Sequence, residues 1–133
     1  SADDLAAMTW LNDNTEPDST RVLNFYDEAD WVPVVSNRDS IYYPVMPQQS
    51  REETPEQSAL VIFWRNPTES ENRLRDAGIT HIIVPQALVE PTADLWRFGT
   101  EIEFTLTTSL DEVDYLERVF VQNGAAVYAL RDN

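Results

Sequence analysis

The chain contains no cysteine, no lysine, one histidine and three glycines. Each scarcity closes off some chemistry. Without cysteine there is no disulfide, no thiolate nucleophile and no Cys-ligated zinc or iron–sulfur centre. The lone histidine, His81, has no second imidazole or thiolate to share a zinc ion with. Gly78, Gly99 and Gly124 stand far apart, so neither a Gly-x-Gly-x-x-Gly turn nor a Walker loop is present to cradle phosphate. Serines are plentiful, yet no Gly-x-Ser-x-Gly elbow frames one as a nucleophile. The longest apolar run, Ala59 to Trp64, is far short of the roughly 20 residues that cross a bilayer. Asn66-Pro-Thr is barred as a glycosylation acceptor by its proline.

Positive charge is scarce as well. Nine arginines face 24 acidic residues, a formal net charge of -15. Such a surface repels phosphate backbones and anionic headgroups, which disfavours nucleic acid and peripheral membranes as partners. The acids are spread along the chain rather than clustered, the pattern of a solvated acidic shell. A cation site or a basic partner is the sharper alternative. The absence of cysteine leaves the compartment open. No basic region followed by an apolar stretch marks a signal peptide, and Ser1-Ala2 stands where a start Met would. That beginning suggests a piece of a longer protein.

What is present is enough for a core. The 133 residues are 42% hydrophobic and 11% aromatic, too apolar for a disordered acidic tail and the usual length of one domain. Asp3 or Asp4 can cap a helix over residues 4–13, with Leu5, Met8 and Leu11 on one face and Trp10 beside it. Arg21 to Phe25 reads as a short, mostly buried strand, and Tyr26 to Asp30 as an acidic bend at its end. Residues 31–37 suit a short helix or turn. Ser40 to Val45 reads as a second strand, which Pro44 ends or places at an edge.

Residues 47–54 are polar and carry no clear pattern. Thr54-Pro55-Glu56 opens a helix running to Arg65, and a second begins at Thr68 or Ser70 and stops at Gly78. Thr80 to Val84 is continuously apolar after His81 and is closed by Pro85. Helix, glycine and buried strand in that order are the second half of a βαβ unit, so part of the sheet should be parallel. Residues 86–100 read as a loop with a helical turn at 92–98. Residues 101–107 alternate and suit a strand or the approach to a helix. Ser109 and Glu112 have capping-box spacing. Asn123-Gly124 between the apolar runs 116–122 and 125–130 is a strong hairpin signal. The expected fold is therefore α/β over residues 1–133 as one domain. Its small central sheet is at least partly parallel, is flanked by helices and ends in an antiparallel β-hairpin.

No catalytic residue and no cofactor site emerges from these elements. His81 lies inside a strand, where a single histidine is more often structural. Asp27, Glu28 and Asp30 form the most informative polar cluster, because ligands of open α/β sheets bind beyond the strand C-terminal ends. These carboxylates could hold a hard cation or sugar hydroxyls, with Trp31 as a stacking face. The bland alternative is a solvated acidic turn. The bend lacks the alternate spacing and the glycine of a calcium loop, so no metal site is assigned. Glycosidase-like carboxylate pairs can be drawn from Asp27, Glu28, Asp30, Glu52, Glu53 or Glu90, but pairing depends on separations that a sequence does not contain. Trp31, Tyr42, Tyr43, Trp64 and Trp96 would suit a sugar platform, although such residues are more often core.

Four stretches look familiar together: Met8-Thr-Trp-Leu-Asn-Asp-Asn-Thr-Glu-Pro-Asp-Ser-Thr-Arg-Val-Leu, Asp30-Trp-Val-Pro-Val-Val-Ser-Asn-Arg, Leu74-Arg-Asp-Ala-Gly-Ile-Thr-His-Ile-Ile-Val and Val119-Phe-Val-Gln-Asn-Gly-Ala-Ala-Val-Tyr-Ala-Leu. Their order resembles the soluble C-terminal domain of polytopic membrane proteins related to the GT-C glycosyltransferases of actinobacteria and archaea. The shared motifs are a helix–strand start, a strand and a hairpin, and none is a catalytic signature. The resemblance implies a non-catalytic accessory domain on the extracytoplasmic face of the cell membrane, part of a membrane-anchored parent. Its partners would be a cell-envelope glycan or neighbouring loops of the membrane region, with no insertion of this segment itself. The alternative is a free-standing soluble enzyme, or cation-dependent hydrolase, built on the Asp27–Asp30 cluster.

Overall fold

In the computed structural model, the residues described are 2–25, 31–43, 63, 66–84 and 110–132. Helix α1 (Ala2–Asn14) is followed by a 3-10 turn at Pro17–Ser19 and strand β1 (Arg21–Phe25). Then come α2 (Trp31–Ser36), β2 (Asp39–Tyr43), a 3-10 turn at Pro67–Glu69, α3 (Glu71–Asp76), β3 (His81–Val84), β4 (Leu116–Gln122) and β5 (Ala125–Leu130). The five strands form one sheet in the order β2-β1-β3-β5-β4. β1 is parallel to both β2 and β3, whereas β5 runs antiparallel to β3 and to β4. The partly parallel sheet and the closing hairpin expected from the sequence are both there. The expected helix over 54–65 and the readings for 86–107 fall outside the described residues, apart from Phe63.

Alternation along the strands divides the core in two. Leu23, Ile82, Val84, Ala126 and Tyr128 point to one face and pack with Leu74 of α3 and with Phe63 and Leu110. Val22, Ile83, Ala125 and Val127 point to the other, under Ala7, Met8 and Leu11 of α1 and Val32 of α2. The burial of these two faces is the main force holding the layers together. α1 thus uses Ala7 rather than Leu5 beside Met8 and Leu11. Leu5 is 47% exposed, because it falls on the flank of the stripe set by Asp4, Ala7, Met8 and Leu11.

Several boundaries move slightly. α1 begins at Ala2, so Asp3 and Asp4 sit inside its first turn rather than capping it. Asp3 instead accepts hydrogen bonds from the side chains of Gln122 (2.9 Å) and Asn123 (3.2 Å), fixing the start of α1 on the hairpin. The second strand is Asp39–Tyr43, at the edge of the sheet. Of the two starts expected for α3, Thr68 falls within a 3-10 turn, and Ser70 stands at the N-cap position of the helix. Gly78 ends that region with φ +77°, and Asn123 and Gly124 both have positive φ, at +49° and +95°. Two positive values in a two-residue loop are the type I′ turn that matches the twist of paired strands.

Candidate functional site

The pairing directions bring several chain ends to one edge of the sheet. β1, β2 and β3 run the same way, and β4 runs with them because both it and β3 are antiparallel to β5. Phe25, Tyr43, Val84 and the Asn123-Gly124 turn therefore lie along the C-terminal edge. From β1 the chain passes through α2 to β2 on one side, and β3 lies on the other side of β1. The gap between β1 and β3 is thus where the direction of winding reverses, the place where ligands of open α/β sheets bind.

The acidic bend predicted as a site leaves β1 at this edge. Trp31 is the first residue of α2, whose Val32 packs on the same face as α1. Asp27, Glu28 and Asp30 lie outside the described residues. What the fold does fix is their two anchors, the end of β1 and the start of α2. Among the described residues, no group of three or more His, Asp or Glu side chains is placed to hold a metal ion.

Sequence reasoning passed over Asn24, directly before this bend. Its side chain is wholly buried, and neither amide atom has a hydrogen-bond partner among the described residues. As the neighbour-but-one of Val22 on a strand, it points to the α1–α2 face. The signal in the sequence was a polar residue within the apolar run Val22 to Phe25. Arg38 was overlooked too. Its buried guanidinium donates to the carbonyls of Asn12 (2.9 Å), Thr15 (2.6 Å) and Asn37 (2.9 Å), and to the Thr15 hydroxyl (2.9 Å). That bundle of bonds closes the C-terminal end of α1, the negative pole of its dipole.

At the opposite edge the polar groups are tied to one another. Thr80 Oγ1 accepts from the Arg21 amide at 3.0 Å, and His81 Nδ1 lies 2.9 Å from the same hydroxyl. Burial lowers the His81 pKa below its ordinary value, which favours the neutral ring and suits the structural reading of this residue. Arg21 Nε lies 3.1 Å from an Asp39 carboxylate oxygen and also has no hydrogen bond of good geometry. We read that contact as charge proximity, without directional bonding at Nε. Arg21 is held more firmly by Nη1, which donates to the Ala77 carbonyl at 2.7 Å.

Two tyrosines are raised well above the ordinary phenol range. For Tyr115 the main cause is burial, with the Glu71 charge adding to it. For Tyr128 it is burial followed by the hydrogen bond to Asp111. Both hydroxyls are donors with fixed acceptors, the Pro67 carbonyl for Tyr115 and Asp111 Oδ1 at 2.8 Å for Tyr128. They brace the turn before β4 against the 3-10 turn at Pro67–Glu69 and against β5, and neither is poised as a base.

A five-stranded sheet wound in both directions, with helices on both faces and a terminal hairpin, defines the chain as a doubly wound α/β fold. Among solved structures it is similar to the C-terminal globular domain of oligosaccharyltransferase from Archaeoglobus fulgidus. The TM-score is 0.68, and the match covers 98% of this chain and 98% of that one at 9% sequence identity. At that identity the likeness is one of fold, and it is the general kind of fold that the sequence motifs resembled. No family model matches the chain, and no curated protein does. Among the described residues, no helix is long and apolar enough to cross a membrane.

Proposed function

We propose that the chain is a non-catalytic accessory domain of a polytopic, glycosyltransferase-like membrane protein. It stands on the extracytoplasmic face and binds or positions a glycan or a neighbouring protein segment. The observation that carries this reading is the fold shared over 98% of both chains with a domain of an oligosaccharyltransferase. The winding reversal at the end of β1 supports a ligand site there, formed by Asp27, Glu28 and Asp30 with Trp31 as a stacking face. Carboxylates accept hydrogen bonds from sugar hydroxyls, and an indole covers the apolar face of a sugar ring.

Two experiments test the reading. The reading frame that encodes the chain should specify several apolar spans of about 20 residues ahead of Ser1; a frame without them overturns the membrane parent. Titration with short cell-wall oligosaccharides, and separately with calcium, should shift the amide resonances of residues 26–31. Asp30→Ala should abolish those shifts. Silence from both ligands removes the site. A calcium response accompanied by hydrolysis of the oligosaccharide replaces the accessory domain with the hydrolase reading.

A further inference from the structure

The tip of the closing hairpin joins a reactive dipeptide to a contact that depends on it. Asn123 is the one asparagine of the chain that is followed by glycine. The side-chain amide of an asparagine is an electrophile within reach of the next residue's backbone nitrogen. A side chain on that next residue hinders the approach, and glycine has none. The turn leaves both groups open to reaction. Asn123 is exposed. The ladder closes at Gln122 opposite Ala125, so the Gly124 nitrogen between them takes no part in the pairing of β4 with β5.

The same side chain helps to fasten α1 in place. Asn123 Nδ2 donates to Asp3 Oδ1 at 3.2 Å, and Gln122 Nε2 donates to the same oxygen at 2.9 Å. Asp3 lies in the first turn of α1, so these two amides clasp the start of the helix to the hairpin. Farther along α1, the Trp10 ring meets Phe120 of β4 with centroids 6.2 Å apart. The polar clasp works only while residue 123 is a neutral donor. A carboxylate there would meet Asp3 acceptor to acceptor, with like charge at hydrogen-bond range, and attraction would turn to repulsion.

We infer that Asn123 is a site of spontaneous deamidation, and that its conversion to aspartate or isoaspartate releases the first turn of α1 from the hairpin. The Gly124 backbone nitrogen gives up its proton and attacks Asn123 Cγ. The N–Cγ bond forms, the Cγ–Nδ2 bond breaks, and the amide group leaves with that proton as ammonia. Water then opens the cyclic imide. Opening at the side-chain carbonyl gives aspartate. Opening at the backbone carbonyl gives isoaspartate, whose main chain runs through Cγ and is one atom longer. That atom does not fit a type I′ turn, in which Asn123 and Gly124 hold φ at +49° and +95°. Turning Cγ toward the Gly124 nitrogen also moves the amide off Asp3. The closed clasp therefore slows the step, an opened one favours it, and the product prevents reclosure.

The test ages the 133-residue chain in warm, mildly alkaline buffer and maps it by peptide mass spectrometry. The amide-to-acid mass gain should appear at Asn123 at least about tenfold faster than at any other asparagine. Asp3→Ala opens the clasp and should speed that conversion about threefold. Asn123→Asp installs the aspartyl product from the start. It should lower the melting temperature by about 2–4 °C and shift the amide resonances of Ala2–Leu5, with those of α3 unchanged. Adding Asp3→Asn to that variant should restore most of the loss, because residue 3 then donates to the new carboxylate. Conversion no faster at Asn123 than elsewhere, a rate untouched by Asp3→Ala, or an Asn123→Asp chain that melts and resonates like the parent would each overturn the inference. Neither a glycan nor a membrane parent enters the test, so its outcome is independent of the proposed function.

Discussion

Asn24 stands in a central parallel strand, with both atoms of its amide withdrawn from water and unpartnered among the described residues. Leaving such a group unpaired costs about 1–3 kcal/mol. Asn24→Val removes the polar atoms and supplies a β-branched side chain that suits the strand. It should raise the unfolding free energy by about 1 kcal/mol in a urea titration, without altering the fold. A loss of stability instead would mean that the amide is satisfied in solution by an internal water or by the segment that follows β1. Arg38 is the contrasting case, a buried charge given four oxygen acceptors by Asn12 in the last turn of α1, by Thr15 just after it and by the preceding residue Asn37. Neither environment was legible in the sequence. Whether a polar side chain finds partners depends on residues distant along the chain: Asn12 and Thr15 for Arg38, none described for Asn24.

At the scale of elements, those with strictly local causes were read closely from the sequence. The hairpin follows from Asn123-Gly124, since few side chains tolerate the left-handed backbone that a type I′ turn requires at both positions. Gly124→Ala places a Cβ at φ +95°. It should cost about 1–2 kcal/mol, seen as a lower urea midpoint with an unchanged slope. An unchanged midpoint would show that the turn readily adopts another type. β1 and β3 were likewise visible as short apolar runs, and Gly78 as a helix stop. The start of α1 was misplaced because Asp3 is recruited by Gln122 and Asn123, well over a hundred residues away. Leu5 was assigned to the buried face because apolar spacing alone does not distinguish the centre of a helical stripe from its margin.

For the whole molecule, the dominant quantity is the net charge of -15. Described ion pairs neutralise only part of it locally. Self-repulsion should therefore destabilise the compact state at low ionic strength and be relieved as the screening length shrinks from about 30 Å at 0.01 M salt to about 3 Å at 1 M. The melting temperature should rise steadily as NaCl is raised over that range. A flat or falling curve would show that arginine pairs such as Arg75–Glu71 and Arg118–Asp111 outweigh the repulsion, since screening weakens these as well.

The sequence by itself determined the class of object: an acidic α/β chain with a core, a partly parallel sheet and a closing hairpin, and without the cysteines, glycine loops or serine elbow of several familiar chemistries. Those properties are sums over residues or patterns within a few positions, so they survive without coordinates. Only the tertiary structure decided the strand order and the reversal of winding between β1 and β3. It alone showed that Asn24 is buried without a partner and that Leu5 is half-exposed. Each of these depends on which distant segments become neighbours, and that is set by how two opposite apolar faces of one sheet are covered at once.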